Sequence, residues 1–586
     1  MKIIIYNIFF KGMIEVNAKY KRIFGIHLVF LVIVGIATYI DFKSNYIISG
    51  FDTFFHVERV YEIRSAFKAG SFPGWLNFMT FHHVGQAING MYPDISLWPL
   101  VYITNKLNPI HQVIIIRSLI LILTFFVSYI SISKRFDKEN ASYVSAIYAL
   151  SGMCLRSFNS ELQLGTAIIL IFLFPIVFNV KDIIYSEKID IRLILNMALL
   201  CTVVIYSHLM SIFVLYVIVG ISIIVRFICH KKIYPIINML MSSLFLTATS
   251  LPILYRYYII SKVGIQPAYS KGNVTTIKFI DIFSSAEWSS RASLSIVTII
   301  LLFVVISNFR VKKVNLLLPY LYGEIILIVL GTNLAPWSIL QNMPLFDSIQ
   351  NTGWRFIIFS GAIPFILLLV NFSEKSSRKI LKILFIIAIL TSVNEYYSFH
   401  GSARKNMAIF SGDNNKILGA EDWVRLKSTG INSEKLTRDI IPDYAPNQID
   451  SKVFANGSTL SDDLQNRIRY NQVKMNGKNI TTTKKYTYEG ISFNFNNIMS
   501  ASSIELPVYG YKTLNYHVTV NGKNVPYTIS NLGFIELNNI RKIKNVKIEY
   551  LYPKMYKYII YFSTIIILIL SGISIFYFRS TKYKYI

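Results

Sequence analysis

Long apolar stretches alternate with short polar connections along most of the chain. A helix needs about 20 apolar residues to cross the hydrocarbon core of a bilayer. About twelve stretches approach this length and are predicted as membrane spans: 23–40, 113–133, 141–155, 162–180, 193–207, 209–227, 234–254, 294–308, 314–331, 356–371, 380–393 and 558–578. The apolar stretch 95–107 is predicted to be a surface or re-entrant piece, with thirteen spans as the alternative.

Basic residues gather at one set of span ends, which predicts the orientation of the chain. They lie at 19–22, 134–138, 230–232, 310–313, 375–379 and 579–584, and such positions are typical of cytoplasmic loops. Both termini are therefore expected in the cytoplasm, as in a multi-pass protein of the cell membrane. Two polar segments, 41–93 and 394–556, are expected to project from the other face. This divides the chain into a membrane domain (1–393), an extracytoplasmic domain (394–556) and a last span with a basic tail (557–586).

The second polar segment changes from helical spacing to alternation with a period of two. Apolar residues recur at 491, 493 and 495 and again at 516, 518 and 520, directly before Asn521-Gly522. Asn-Gly between alternating runs is a strong signal for a two-residue β-hairpin, and Asn476-Gly477 is a second candidate. Residues 470–550 are therefore predicted to form a small β-sandwich, whereas 401–455 gives no pattern. The expected fold class is an all-α polytopic membrane bundle with a small extracytoplasmic β-sandwich near the C-terminus.

Composition agrees with a membrane protein. Of 586 residues, 53% are hydrophobic and 15% are charged, where soluble domains carry about 25% charged residues. The net charge of +28 would suggest nucleic acid in a soluble protein, but here the cations lie mostly at span ends, where they meet anionic lipid. Nucleic acid is therefore excluded as a partner. The three cysteines lie in or beside apolar stretches and predict no disulfide framework.

The first outer loop carries the most informative polar pattern. At about 100° per residue, Asp52, His56 and Arg59 fall within about 60° of one helix face. The opposite side of the helix is apolar: Phe54, Val57, Tyr61. The pattern predicts an amphipathic helix lying on the outer leaflet with its polar face towards a cavity. Asp52 then acts as a general base while the cations hold a phosphate, or else it caps the helix while His56 and Arg59 face lipid head groups.

Five further polar residues lie at predicted outer span ends and are candidate substrate-binding residues: Arg156, Glu161, His208, Gln350, Arg355. Ionisable groups at membrane depth usually face a cavity or each other, and an Arg156–Glu161 ion pair is the structural alternative. His82 and His83 are adjacent and point apart on a helix. No metal-ligand spacing is present, so no metal site is predicted.

Several motifs resemble the YfhO-like bacterial membrane proteins. Asp52-Thr-Phe-Phe-His56-Val-Glu-Arg59 matches that family's D-x-x-x-H-x-x-R, and Gly70-Ser-Phe-Pro73 and Met91-Tyr92-Pro93 follow in the same order. Later passages agree at 156–161, 348–356 and 506–522. Two positions depart from the pattern: Ser160 replaces a glycine, and Asn351-Thr-Gly353 replaces Phe-Pro and adds a residue.

The resemblance implies a GT-C-type glycosyltransferase that uses a polyprenyl-phosphate-linked sugar on the extracytoplasmic face. It implies Asp52 as the catalytic residue and cell-envelope polymers such as teichoic acids as acceptors. As a hypothesis, the donor phosphate lies near Arg59, Arg156 or Arg355, and His56, Glu161, His208 and Gln350 are further candidate donor-binding residues. Guanidinium partners can balance the charge of the phosphate, so a divalent cation is an optional cofactor. Some relatives carry a label linking them to 6-pyruvoyl-tetrahydropterin synthase, but the chain has no zinc-ligand spacing for that chemistry.

Two other functions fit parts of the pattern. A lipid-linked glycan flippase would explain the spans, but it predicts ionisable residues throughout the bilayer depth. An envelope scaffold would use the β-domain and need fewer spans. The charges gather at outer span ends, which favours a one-sided reaction site.

Overall fold

The computed structural model describes most of the chain in full. The described residues are 2–49, 52–159, 162–262, 264–266, 274–283, 294–309, 313–400 and 462–580. Between 401 and 461 they are 409–410, 417–418, 424–428, 437–438, 440 and 443–446. For 2–17, 156–159, 398–400, 409–410, 417–418, 437–438, 462–463 and 577–580 only the backbone is considered.

Helices dominate the first 400 residues. In chain order they are α1 (Lys2–Ser44), α2 (Thr53–Lys68), α3 (Ile88–Met91), α4 (Trp98–Thr104), α5 (Pro109–Ser133), α6 (Lys138–Ala149), α7 (Gly152–Asn159), α8 (Leu164–Ile171), α9 (Leu173–Ile184), α10 (Ile191–Ser207), α11 (Leu209–His230), α12 (Tyr234–Ser261), α13 (Ile296–Ser307), α14 (Val314–Gly331), α15 (Trp337–Leu340), α16 (Thr352–Phe356), α17 (Ile363–Asn371) and α18 (Glu374–His400). Two more follow, α19 (Asp462–Tyr470) and α20 (Lys554–Ser580). Short 3₁₀ turns occur at Phe81–His83, Ile95–Leu97, Phe279–Phe283, Phe346–Ser348 and Ile357–Ala362.

Eight helical segments among the described residues are long and apolar enough to cross a membrane. They are Ala18–Ser44, Pro109–Ser133, Leu209–His230, Tyr234–Ser261, Val314–Gly331, Thr352–Asn371, Glu374–Tyr397 and Lys554–Phe576. The pair α8 and α9 would make a ninth, bent by 59°. The polytopic helical architecture is thus confirmed, but the count is lower than the twelve or thirteen predicted from apolar runs.

Three of the predicted spans are too short or broken. The helices α10 and α13 are apolar but have only 17 and 12 residues. The stretch 141–155 is not one helix, because α6 ends at Ala149 and α7 begins at Gly152. A 12-residue helix is buried in the bundle rather than spanning it. The segment Ile95–Thr104 is likewise too short to cross alone, in line with its prediction as a non-spanning piece.

The helix α2, in the loop between α1 and α5, is buried on nearly every side. From Thr53 to Val60 each residue is less than 9% exposed. The prediction of a helix lying on the bilayer surface is therefore wrong. Tertiary packing overrides the amphipathic pattern because the polar face of α2 is covered by the loop that follows it, residues 77–94.

The β-strands begin within the loops of the membrane domain. The first five are β1 (Ile47–Ser49), β2 (Ile409–Phe410), β3 (Ile417–Leu418), β4 (Val424–Leu426) and β5 (Thr437–Arg438). A three-stranded sheet has the order β1-β4-β2, and β3 pairs with β5. The strand β1, just before α2, is therefore hydrogen-bonded to β4. The sequence around β4, within 401–455, predicted no strand.

The C-terminal sheet contains eight strands. They are β6 (Val473–Met475), β7 (Lys478–Ile480), β8 (Thr483–Thr487), β9 (Gly490–Tyr509), β10 (Asn515–Val520), β11 (Lys523–Asn524), β12 (Thr528–Ile529) and β13 (Phe534–Leu551). The order is β11-β10-β13-β9-β6-β7, with β8 on β9 and β12 on β13. Both Asn-Gly pairs form the predicted hairpin turns, with positive φ at Asn476, Gly477, Asn521 and Gly522 as a type I′ turn requires.

The two longest strands must fold back on themselves. A straight strand of the 20 residues of β9 would extend about 66 Å. Yet one end lies beside Tyr550, whose ring is 6.0 Å from Trp75, and at the other end the Tyr509 amide donates to the Val84 carbonyl over 2.8 Å. Trp75 and Val84 belong to one loop. The strands therefore turn at the register shifts between Ile540 and Asn545, and the two halves share one apolar core. This gives a sandwich-like shape built from shared strands.

Candidate functional site

Asp52 lies at the start of α2 but does not cap it. Its side chain makes no capping hydrogen bond, which excludes the capping role considered from the sequence. Instead, the Gln163 side-chain amide donates to Asp52 Oδ2 over 2.6 Å. Asp52 is partly exposed, so its carboxylate is held in place and still accessible.

Arg59 is completely buried, and its donors are used within the protein. Its Nε donates to Asn89 Oδ1 (3.2 Å), Nη1 to His56 Nδ1 (3.4 Å), and Nη2 to the carbonyls of Tyr92 (3.2 Å) and Pro93 (2.6 Å). A guanidinium has five N–H donors, so four are engaged. The predicted contact of Arg59 and His56 with lipid head groups is therefore wrong.

Burial also shapes the electrostatics of this group. Desolvation lowers the pKa of Arg59 from its ordinary value, and the side chains of Tyr92 and Asp94 partly offset that effect. The guanidinium also stacks over the Tyr92 ring at 4.2 Å. Arg59 therefore fixes the Tyr92-Pro93 turn rather than facing a ligand.

A second cluster forms around Arg355 at the start of the α16–α17 span. Its Nη1 donates to His208 Nε2 (3.3 Å), and its Nη2 donates to Gln350 Oε1 (3.1 Å). Arg355 is partly exposed, and its Nε has no hydrogen-bond partner among the described residues. Three of its five N–H donors are therefore unused, in contrast to Arg59.

His208 joins α10 to α11, at the hairpin tip predicted from the sequence. Burial lowers the pKa of His208 well below its ordinary value, and the positive charges of Arg355 and Arg59 lower it further. The neutral ring accepts from Arg355 on Nε2, so Nδ1 carries the proton and donates to Ser211 Oγ over 2.8 Å.

Tyr92 connects the two arginine clusters. Its ring lies 5.7 Å from that of His56 and 5.8 Å from that of His208. The fold thus brings together five predicted residues: His56, Arg59, His208, Gln350, Arg355. Asp52 is connected to this cluster through Gln163, which donates to its carboxylate. Two residues after Gln163, Gly165 packs against Ser207, the residue before His208. A Cβ at Gly165 would lie 2.5 Å from the Ser207 carbonyl oxygen.

Two predicted residues are not tested. The side chain of Arg156 and all of Glu161 lie outside the described residues. Their predicted roles and their ion pair therefore stay predictions.

Sequence reasoning missed several residues that build the site. Gln163 donates to Asp52, and Asn89 accepts a hydrogen bond from Arg59. Asp94 forms a buried ion pair with Arg256 over 2.8 Å. The sequence shows Asp94 directly after Tyr92-Pro93. Its partner on α12 was not, because only the fold brings residues 162 positions apart into contact.

An apolar groove of about 310 Å³ runs along one face of α11, between α9 and α14. Its lining extends along α11 from Ser211 to His230, about 28 Å at 1.5 Å per residue. At one end Ser211 contacts His208, and Phe359 lies one turn beyond Arg355. At the other end are Lys181, Arg226 and His230. The groove is therefore as long as the hydrocarbon core is thick and begins beside Arg355.

The described residues contain no group of three or more His, Cys, Asp or Glu side chains suited to hold a metal ion. His83 is buried and stacks on Tyr486 at 3.8 Å, while its Nδ1 donates to the Phe78 carbonyl over 2.8 Å. Burial lowers the pKa of His83 to about 4. This histidine therefore joins the loop that follows α2 to the C-terminal sheet.

Comparisons with known proteins leave the family open. No family model matches the chain, and no curated protein matches it. Among solved structures, the crystal structure of ArnT from Cupriavidus metallidurans bound to undecaprenyl phosphate is similar at a TM-score of 0.39 and 11% identity, over 62% of this chain and 63% of that one. The chain thus spans just under two thirds of that protein's length. A likeness of this degree assigns neither fold family nor activity, so the YfhO-like resemblance stays a prediction.

Proposed function

We propose that this protein is an integral membrane glycosyltransferase of the GT-C type. It would move a sugar from a polyprenyl-phosphate-linked donor to a cell-envelope acceptor on the extracytoplasmic face. The observation that carries the proposal is a partly exposed guanidinium with two unused terminal N–H donors at the end of a membrane-long apolar groove, together with the Asp52 carboxylate that Gln163 holds at the start of α8.

Arg355 is the proposed phosphate ligand. Guanidinium groups bind phosphate through paired N–H donors, and Arg355 has donors to offer while those of Arg59 are turned to backbone carbonyls. His208 and Gln350 hold the Arg355 fork in place. The isoprenoid chain would lie in the apolar groove, where it exchanges contacts with lipid tails for packing against side chains of similar polarity.

Asp52 is the proposed general base. Its carboxylate takes the proton of an acceptor hydroxyl, the hydroxyl oxygen bonds to the anomeric carbon, and the bond from that carbon to the phosphate oxygen breaks. Polyprenyl phosphate leaves with its charge paired by Arg355. Gln163 orients the carboxylate throughout. A divalent cation is not required to balance this charge, and transfer in excess EDTA tests that prediction.

The lining of the groove argues against a flippase. Its middle is apolar, with residues such as Ile176, Leu215 and Ile326, whereas a sugar crossing the bilayer needs polar partners along its path. The charged groups, Lys181, Arg226 and His230, lie at one end only.

The decisive experiment compares wild type, Asp52→Asn and the control Asp281→Asn in liposomes, with labelled sugar on a synthetic polyprenyl-phosphate donor. An asparagine still accepts from Gln163, so Asp52→Asn should fold normally yet lose transfer, while Asp281→Asn retains it. Transfer by Asp52→Asn at the wild-type rate would remove the base assignment. Movement of donor between leaflets without transfer by any protein would establish the flippase instead.

A further inference from the structure

The helix α13 covers only part of the membrane thickness. Its 12 residues extend about 18 Å, which leaves about 12 Å of a hydrocarbon core about 30 Å thick to other parts of the chain. Its last turn lies level with the end of α17 and the start of α14, since the Asn308 carbonyl accepts from Asn371 and the Val370 carbonyl accepts from Lys313. The uncovered thickness is therefore beyond the start of α13, on the side of the membrane where Arg355 lies.

Two loops fill this space, and we call them together the two-loop ridge: 274–283 and 332–350. Ile282 of the first loop belongs to an apolar cluster against which Ile328 packs, 14 residues into α14 and about 21 Å from its start. Ile277 forms a β-bridge with Thr332, about 27 Å from the same start. The ridge therefore begins within the depth of the hydrocarbon core rather than beyond it.

The backbone of the ridge is satisfied within the protein, as irregular backbone at membrane depth requires. The Asn333 amide donates to the Ile277 carbonyl over 2.9 Å, and the Asn333 side chain accepts from the Phe279 amide over 3.0 Å. The Thr275 amide donates to the Gln350 carbonyl over 2.9 Å. These bonds join the two loops into one unit.

The surface of the ridge is apolar. Six large apolar side chains, spread over both loops, are 40% to 68% exposed: Phe279, Ile280, Leu334, Ile339, Met343, Leu345. None of these six is among the residues that line the apolar groove. Trp337 is buried instead and donates to the Leu330 carbonyl over 3.1 Å, which holds the second loop against α14. An exposed apolar patch of this size marks a contact surface.

We propose that the two-loop ridge inserts into the leaflet on the Arg355 side and that its partner is the acyl-chain region of that leaflet. Its depth favours lipid over water. The ridge also continues a surface that faces lipid, because Phe303 of α13 and Ile325 of α14 are 71% and 56% exposed. The inserted loops complete, from the other side, the crossing that α13 makes only in part. The inference needs neither donor nor transfer and stands apart from the proposed function.

Insertion at this place has a consequence for the site. Gln350, the last residue of the ridge, accepts from Arg355, and Phe346 packs on Phe213 of α11 with 5.1 Å between the ring centroids. Lipid contact with the ridge would therefore steady the loop that orients Arg355.

The test measures the depth of single fluorescent labels on the full-length protein in liposomes. Cys229→Ser removes the exposed native thiol, and Cys154 and Cys201 are buried, so one introduced cysteine can be labelled with bimane. The quenchers are phosphatidylcholine with a nitroxide near the head group, phosphatidylcholine with a nitroxide near the bilayer centre, and iodide in the water.

The two test positions, one on each loop, are Ile280→Cys and Ile339→Cys. The matched controls are Phe303→Cys on α13 for lipid and Lys523→Cys on the C-terminal sheet for water. All four side chains are exposed, so the labels should leave packing intact, which size-exclusion elution verifies.

Both ridge labels should lose fluorescence to the lipid nitroxides as the Phe303→Cys label does, and more to the nitroxide near the head group than to the one near the bilayer centre. Iodide should quench them far less than it quenches the Lys523→Cys label. Quenching by iodide at the level of Lys523→Cys would show that the ridge faces water and would overturn the proposal. Quenching by neither lipid nor iodide would overturn it as well, because the ridge would then be covered by protein, such as a second copy of the chain.

Discussion

Replacing Arg59 should mainly lower the stability of the protein, whereas replacing Arg355 should mainly lower its transfer activity. Arg59 has four donors committed to buried acceptors, whereas Arg355 has two. Replacing each by methionine keeps a flexible apolar stem and removes the guanidinium. The comparison therefore asks whether each cation serves the fold or a ligand.

The magnitude for Arg59→Met follows from the acceptors it leaves. The carbonyls of Tyr92 and Pro93 and the Asn89 side chain would lose their donor inside the protein, and each unsatisfied buried group costs about 1 to 3 kcal/mol. The sum, about 3 to 9 kcal/mol, is a large part of the stability of a typical domain. Arg59→Lys keeps the charge and some donors, so it should cost less.

Arg355→Met is expected to cost about 1 kcal/mol, since only one buried acceptor, His208 Nε2, loses its donor, while His208 keeps Ser211 and Gln350 is partly exposed. Its loss should appear in transfer instead. A charge-assisted phosphate contact of about 3 kcal/mol corresponds to roughly a hundredfold lower kcat/KM.

The assays are the apparent Tm of detergent-solubilised protein and sugar transfer at saturating acceptor. Arg59→Met should lower Tm strongly, and Arg355→Met should leave Tm near that of wild type with little transfer. A drop in Tm for Arg355→Met as large as for Arg59→Met would refute the reasoning. So would full transfer by Arg355→Met.

Three further predictions concern the surroundings of the site. The pKa of His83 is about 4 in the folded protein and about 6.5 in the unfolded chain. The free energy of unfolding should therefore be highest above pH 6.5 and fall by about 3 kcal/mol as the pH is lowered towards 4, because the unfolded chain binds the proton more tightly. His83→Phe should flatten this pH dependence, as measured by urea unfolding at a series of pH values. Gly165→Ala should destabilise by about 1 to 3 kcal/mol because its Cβ meets backbone, whereas Gly220→Ala, with nothing within 4 Å, should not, by apparent Tm. Asp94→Asn and Arg256→Met should each cost about 3 to 5 kcal/mol, and the double variant less than their sum, in a double-mutant cycle.

Local signals were sufficient for the parts of the fold that depend on local chemistry. The two Asn-Gly turns were predictable because positive φ at both central residues is a property of the dipeptide. Long apolar helices such as α5 and α11 were predictable because length and composition decide them. The break after α6 was harder to foresee, since a Ser-Gly pair in an apolar run interrupts some helices and bends others.

The burial of α2 could not be read from periodicity. Its polar residues are satisfied by backbone groups of the following loop, as when Glu62 accepts from the amides of Phe78 and Met79. A polar face covered by backbone looks in the sequence like a polar face in water. For the same reason, the sequence did not show that Arg59 donates to backbone carbonyls while Arg355 keeps unused donors, since both residues carry the same charge.

Residues 351–353 decide where the helix that carries Arg355 begins. Asn351 Oδ1 accepts from the Trp354 amide over 3.1 Å and so caps α16, while the buried Thr352 hydroxyl donates to the Gly331 carbonyl over 2.8 Å. A proline would start a helix by fixing φ; here a cap and a tether to α14 do so instead. Arg355 therefore falls in the first turn of α16, where it donates to His208. The position of the guanidinium is thus set by where the helix begins, and the residues that begin it are free to vary as long as they satisfy its first amides.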